Sequence, residues 1–160
     1  MRMREVNSLF LFLDLVLLTE LNYYAYGLEK MKVLKRNPVF EDERGKIIDI
    51  LENEPIEYVT FILSKKGTVR GNHYHKKSIQ YTYVLKGKLK LLTQMPGRKI
   101  KTKIVKSEDL IFTPPTERHA LIALEDSELL ILTKGLRGGR YYEKDTYRLG
   151  ASESLVEGRV

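Results

Sequence analysis

The chain has 160 residues, 42% hydrophobic and 31% charged, which is enough for one domain with a real core and too apolar for a disordered chain. It contains no cysteine, so disulfides, thiolate metal sites and a cysteine nucleophile are excluded. A net charge of +7 suits an anionic ligand, but no helix-turn-helix pattern, zinc-finger spacing or RNP-like aromatic strand pair accompanies it, so nucleic acid is not an expected partner.

Residues 1–30 differ from the rest. Ser8 to Leu21 is an apolar run interrupted by Asp14. It is too short and too marked by charge for a membrane span. Met1-Arg-Met-Arg resembles the start of a signal peptide, yet no small-x-small cleavage site follows. Asp14 and Glu20 fit the polar face of an amphipathic helix. An apolar N-terminal extension or accessory helix over 1–30, ahead of a domain over 31–160, is the expectation; Met31 as the true start is the other reading. With no leader and no span in this reading, a cytoplasmic protein is expected.

From Met31 the pattern is all β. Lys32 to Lys35 and Val39-Phe40 are short strands, Glu41 to Gly45 a turn, and Lys46 to Leu51 an alternating strand ended by Asn53-Glu-Pro55. Tyr58 to Leu63 follows, closed by Lys65-Lys-Gly67, and then a strand from Thr68 that carries His73 and His75. Gln80 to Leu85 and Lys88 to Thr93 flank a tight turn at Lys86-Gly87, and Met95-Pro-Gly97 turns into Lys99 to Val105. Glu108 to Thr113 leads to a double proline, and Ala120 to Leu124 and Glu128 to Thr133 are the last strong strands. Turns at this short, regular spacing predict a sandwich or barrel. Lys88 and Lys90, and Lys99, Lys101 and Lys103, alternate with apolar or small residues, which reads as the solvent face of an antiparallel sheet.

The chemistry gathers on Thr68 to Lys77. His73 and His75, spaced i, i+2, send both imidazoles to one face of a strand. Such a pair can chelate a metal, or one ring can act as a base while the other orients it. His119 is the remaining histidine, at the mouth of a later strand, and Gln80 starts a strand beside the histidine strand. Arg70 is suited to a bidentate clamp on a diphosphate. Tyr142 could shuttle a proton or stack on a base, although among ten tyrosines packing is the commoner role.

The series Gly71-x-His73-x-His75, then Gln80 and Gly87, then Pro115 and His119, resembles the two motifs of the cupin superfamily. That resemblance implies a small antiparallel jelly-roll barrel in which the histidines and an acidic or amide residue converge. Two departures stand out. Gln80 replaces the usual Glu, and no glycine lies between Pro115 and His119. Arg70-Gly-Asn-His-Tyr-His75, with Lys76 and Gln80, the earlier Phe40 to Gly45 and the Tyr/Asp-rich Tyr141 to Arg148 are similar to the nucleotide-sugar subgroup, the dTDP-4-dehydrorhamnose 3,5-epimerases and dTDP-sugar 3,4-ketoisomerases. The epimerases' acid tyrosine has no partner in Leu129 to Thr133.

The resemblance implies an isomerase or epimerase on a nucleotide-activated 4-keto-6-deoxy sugar. In it His73 is the base, His75 the proton shuttle, and Arg70, Gln80 and Tyr142 bind substrate without a cofactor. A zinc-binding cupin fused to capsular-polysaccharide sugar reductases also reads Arg-Gly-Asn-His. The alternative is therefore a divalent transition metal (Fe, Mn, Ni or Zn) on His73, His75, Gln80 and His119, serving oxygen or carbonyl chemistry. A non-catalytic sugar-binding cupin is the third reading. Barrels of this type bury an edge strand against a partner, so a homodimer is expected.

Overall fold

Period-two alternation of apolar residues builds two antiparallel sheets that face each other. The computed structural model describes residues 30–137 and 143–156. The expected extension, apart from Lys30, and Tyr142 lie outside these residues.

The first sheet has the order β1–β9–β6–β11–β4. It is made of Lys32–Lys35 (β1), Asp109–Thr113 (β9), Ile79–Lys86 (β6), Ser127–Lys134 (β11) and Tyr58–Ser64 (β4). The second runs β12–β5–β10–β7–β8, from Tyr147–Arg148 (β12), Val69–Tyr74 (β5), Arg118–Ala123 (β10), Lys88–Gln94 (β7) and Lys101–Lys106 (β8). Phe40–Asp42 (β2) and Gly45–Ile47 (β3) form a separate hairpin. Every strand pair is antiparallel, and the architecture is the expected jelly-roll barrel. Among the described residues no helix is long and apolar enough to cross a membrane.

Three apolar layers hold the sheets. Between them lie Val84, Leu89, Leu91, Val105, Ile111, Leu121, Ala123, Leu129 and Ile131. Outside the first sheet, Tyr81, Tyr83, Leu110, Phe112 and Leu132 are roofed in part by Ile50, Leu51 and Ile56. Outside the second, Leu92 and Ala120 are covered by Leu149, Leu155 and Val156 of the C-terminal segment. Burial of that many aliphatic side chains, at about 1.5–3 kcal/mol each, is the main stabilising term.

Two expectations shift. The strand foreseen from Lys46 to Leu51 ends at Ile47, because Ile50 and Leu51 turn inward as a roof rather than pairing in a ladder. The lysines of β8 are not a simple solvent face. Lys103 pairs with Leu91 and Lys101 with Thr93, on the inward side, while Ile104 lies on the outer side, 48% exposed. As the edge of its sheet, β8 is open on both faces, so long charged side chains reach water even from the inner row.

Candidate active site

The histidines reach the interior through a kink in β5. Gly71 has φ +86 and Asn72 φ 58. In the β5–β10 ladder, Gly71 pairs with Ala120 and His73 with His119, so Asn72 is an extra, bulged residue. Strict alternation from Arg70 would send His73 outward; the bulge returns it to the inner face. Glycine is required there, since a Cβ on Gly71 would stand 2.8 Å from the His119 carbonyl oxygen. Asn72, an amide that tolerates left-handed backbone, uses its side chain to receive the Leu155 N–H at 3.0 Å, pinning the C-terminal segment.

The rings of His73, His75 and His119 then gather. Ring centroids are 4.7 Å apart for His73–His75 and His73–His119, and 5.5 Å for His75–His119. His75 and His119 are buried and His73 is half-buried. His75 Nδ1 lies 2.8 Å from the Asp145 carbonyl oxygen, and His119 Nδ1 lies 3.2 Å from that of Glu117. A carbonyl only accepts, so each Nδ1 carries the proton and each Nε2 keeps a lone pair. His75 Nε2 is buried with no hydrogen-bond partner. Burial, then the neighbouring imidazoles of His119 and His75, then Arg148 and Arg137, push His73 down to about 2. Burial, then His75, pushes His119 down to about 3. His75 is also lowered by burial, against the opposing pull of the Asp145 carbonyl. All three rings are neutral at pH 7.

Asp145 organises the turn below His75. Its carboxylate accepts the backbone N–H groups of Lys76, Lys77 and Ser78, at 3.1, 2.9 and 2.6 Å, and the Ser78 hydroxyl at 2.8 Å. One buried side chain thus closes the turn by its carboxylate and sets the His75 tautomer by its carbonyl. The sequence reading passed over Asp145; the short donor-rich Lys76-Lys-Ser turn beside a histidine was the only available signal.

The cavity above the rings holds about 260 Å³. Gln80 and Thr82 of β6, Ile62 of β4 and Leu129 and Ile131 of β11 form its walls. Arg70, Arg137 and Arg148 stand around it with one carboxylate, Glu143, which is ion-paired to Arg148. Arg70 is partly committed: it donates to Ser64 Oγ at 3.0 Å and to the Leu63 carbonyl at 2.8 Å. Arg137 and Arg148, absent from the sequence-based site, are the cations felt at His73. His73, His75, His119, Gln80 and Arg70 therefore meet at one cavity.

The donor set also fits a metal. One ligand nitrogen from each histidine can lie within 4.8 Å of the others. Two nitrogens ~2.1 Å from one ion sit at most ~4.2 Å apart, so the ring tips need close by no more than ~0.6 Å. With Nδ1 protonated and tied to a carbonyl, His75 and His119 have the arrangement that outer partners impose on metal-binding imidazoles.

A twisted antiparallel barrel with histidines converging inside it defines a cupin. Within that superfamily, the chain belongs to the polysaccharide biosynthesis C-terminal domain family, which matches residues 40–147. No curated protein matches the sequence. Among solved structures, the chain is similar to a dTDP-4-dehydrorhamnose 3,5-epimerase from Sulfolobus tokodaii, at 19% identity and TM-score 0.65 over 81% of each chain. It is similar to a 3,4-ketoisomerase from Helicobacter canadensis, at 23% identity and TM-score 0.64, over 74% of this chain and 90% of that one. A double mutant of a 3,4-ketoisomerase from Thermoanaerobacterium thermosaccharolyticum, in complex with TDP, is 25% identical with TM-score 0.62, over 76% of this chain and 89% of that one. All three are cupin-fold enzymes of nucleotide sugars.

Proposed function

We propose that the chain is an isomerase or epimerase acting on a nucleotide-activated 4-keto-6-deoxy sugar. The carrying observation is the polarity gradient of one cavity: a floor of neutral imidazoles beneath the cations Arg70, Arg137 and Arg148. A sugar ring is uncharged and polar, and a nucleoside diphosphate is an anion, so the substrate has a natural orientation, ring down and phosphates up. The solved ketoisomerase in complex with TDP supports the same ligand class.

The residues suit proton transfer beside a keto group. The proton at C3 of a 4-keto sugar is acidified by the carbonyl; His73, as a neutral imidazole, accepts it. The negative charge spreads over O3 and O4 as an enediolate, close to the cationic arginines. Return of a proton to C4, with loss of the O3 hydroxyl proton, leaves a 3-keto sugar; return to C3 on the other face inverts that centre. His75 Nε2, free of any partner, is placed to relay the proton, and the Gln80 amide to bind a sugar oxygen. A base held at about 2 is weak, and diphosphate against Arg137 and Arg148 would remove part of the repulsion that lowers it.

A second reading is favoured by the Nδ1 contacts of His75 and His119, which leave both Nε2 atoms as ligands. In it His73, His75 and His119, with Gln80 beside them, hold an Fe, Mn, Ni or Zn ion. Such an ion supplies Lewis-acid polarisation of the sugar carbonyl or oxygen chemistry. In that case the arginines still orient the diphosphate and the apolar walls still exclude water.

The test is NMR of dTDP-4-keto-6-deoxyglucose with the protein in deuterated water. Deuterium entry at C3, C4 or C5 is expected, and His73→Asn should slow it at least ~100-fold. No exchange by the native chain, or an unchanged rate in the variant, would overturn the base assignment. Elemental analysis of untagged, chelator-free protein separates the readings: about one transition-metal ion per chain, lost in His119→Ala, supports the second.

A further inference from the structure

β4 is the outer strand of its sheet and pairs with β11 alone. One side of its backbone is therefore unpaired among the described residues. Its outward side chains are large and apolar: Val59, Phe61 and Leu63 are 63%, 54% and 62% exposed. Chains that keep such an edge solitary protect it with a charge, a proline or a bulge. Between Tyr58 and Ser64 there is neither a charge nor a proline, and the β4–β11 register runs without a shift. Charges appear only at the ends, Glu57 on one side and Lys65 and Lys66 on the other.

The strand is complementary to itself. If two copies pair antiparallel about a two-fold axis through Phe61, Val59 faces Leu63 of the copy and Phe61 faces Phe61. Thr60 faces Ile62, Tyr58 faces Ser64, and Glu57 faces Lys65. Every apolar outward residue meets an apolar one, and opposite charges close both ends. Moving the pairing by two residues sets Glu57 against Leu63, or Val59 against Lys65. A one-residue slip sets the outward row against the inward row of the copy.

We propose that this chain forms a two-fold dimer through β4, joining the two first sheets into one continuous sheet in the Phe61-centred register. The occupant is a second copy because an isologous contact demands self-complementarity, and β4 has it in shape, polarity and charge. The edge also borders the histidine cavity, since Ile62 lines it and the Leu63 carbonyl anchors Arg70. The dimer thus stiffens one wall of the cavity mouth.

The native chain has no cysteine, which allows a direct test. Phe61→Cys should oxidise to a covalent dimer of twice the 18.6 kDa chain, since facing residues of paired strands lie within disulfide reach. Ile104→Cys, on the exposed far edge, should remain a single chain. By sedimentation velocity, the native protein should be a dimer, Glu57→Lys should raise the dissociation constant at least ~10-fold, and adding Lys65→Glu should restore it. Three results would overturn the proposal. One is a native monomer at every concentration, as expected if residues 1–29 cover the stripe instead. Another is a dimer indifferent to Glu57→Lys. The last is cross-linking through Ile104→Cys rather than Phe61→Cys.

Discussion

Two openings enter this barrel at opposite edges of the sheets, and cations line both. Beside β4 and β5, the histidine cavity of about 260 Å³ is ringed by arginines. Near β1 and β8, a cavity of about 590 Å³ is lined by Lys30, Arg98, Lys99 and Lys101, with Glu117 below. The larger space lacks converging donors: the buried Glu117 carboxylate receives the Met31 N–H at 2.6 Å, and the lysines sit on a flexible rim. The smaller has three rings with fixed tautomers or close neighbours, one orphaned nitrogen, and cations on planar, pre-organised groups. Volume and charge alone would have chosen the wrong opening; what separates the two is how firmly the polar atoms are aimed.

Acid should break the contrast most strongly. In the fold His73 and His119 stay neutral down to about 2 and about 3, whereas their ordinary value is 6.5. The unfolded chain therefore binds more protons, so stability is complete above about pH 6.5 and falls as pH drops towards 3. Each ring contributes up to ~1.4 kcal/mol per pH unit in that window, enough to challenge a small domain. Thermal melts at pH 7, 5 and 4 should show the loss, and His119→Asn should flatten the profile.

Next comes the support of the rings. Asp145→Ala strands three backbone donors and a hydroxyl, and should cost about 2–4 kcal/mol by denaturant titration. The same substitution frees His75, so long-range nitrogen–proton NMR should then detect both tautomers. A glycine pair sharpens the comparison on a smaller scale. Gly71→Ala drives a Cβ to 2.8 Å from the His119 carbonyl oxygen at φ +86 and should cost about 2–3 kcal/mol. Gly97→Ala, at φ +72 in the turn of the lysine-lined opening, meets nothing within 4 Å and should cost only about 1 kcal/mol. Least of all, Lys101→Ala should change stability by less than about 0.5 kcal/mol and leave deuterium exchange untouched.

Most of the barrel was legible because alternation and turns are local signals. Tyr58 to Leu63, Gln80 to Leu85 and Lys88 to Thr93 lie within one residue of β4, β6 and β7. The histidines were legible from their spacing, and Gln80 from its distance past a turn. What failed to show was long-range. The bulge at Asn72 depends on the approach of β10, 48 residues on by the Gly71–His119 contact, and nothing near Asn72 announces it. Arg137 and Arg148 looked like surface charge because only the fold of the C-terminal segment carries them back to His73. The β8 lysines were assigned to the wrong side, since an edge strand satisfies long cations on either face.

The anchoring of His75 by a residue 70 positions later sets an order of events during synthesis. The strands of both sheets through β11 precede Asp145 in the chain, so a nascent barrel can pair almost all its ladders while Asp145 is still inside the ribosome. Until it emerges, the turn at Lys76 to Ser78 has no acceptor for its donors and the His75 ring no carbonyl to fix it. The histidine cavity is thus among the last parts of the molecule to acquire its shape, and a ribosome stalled short of that point would release a folded shell with an unset site.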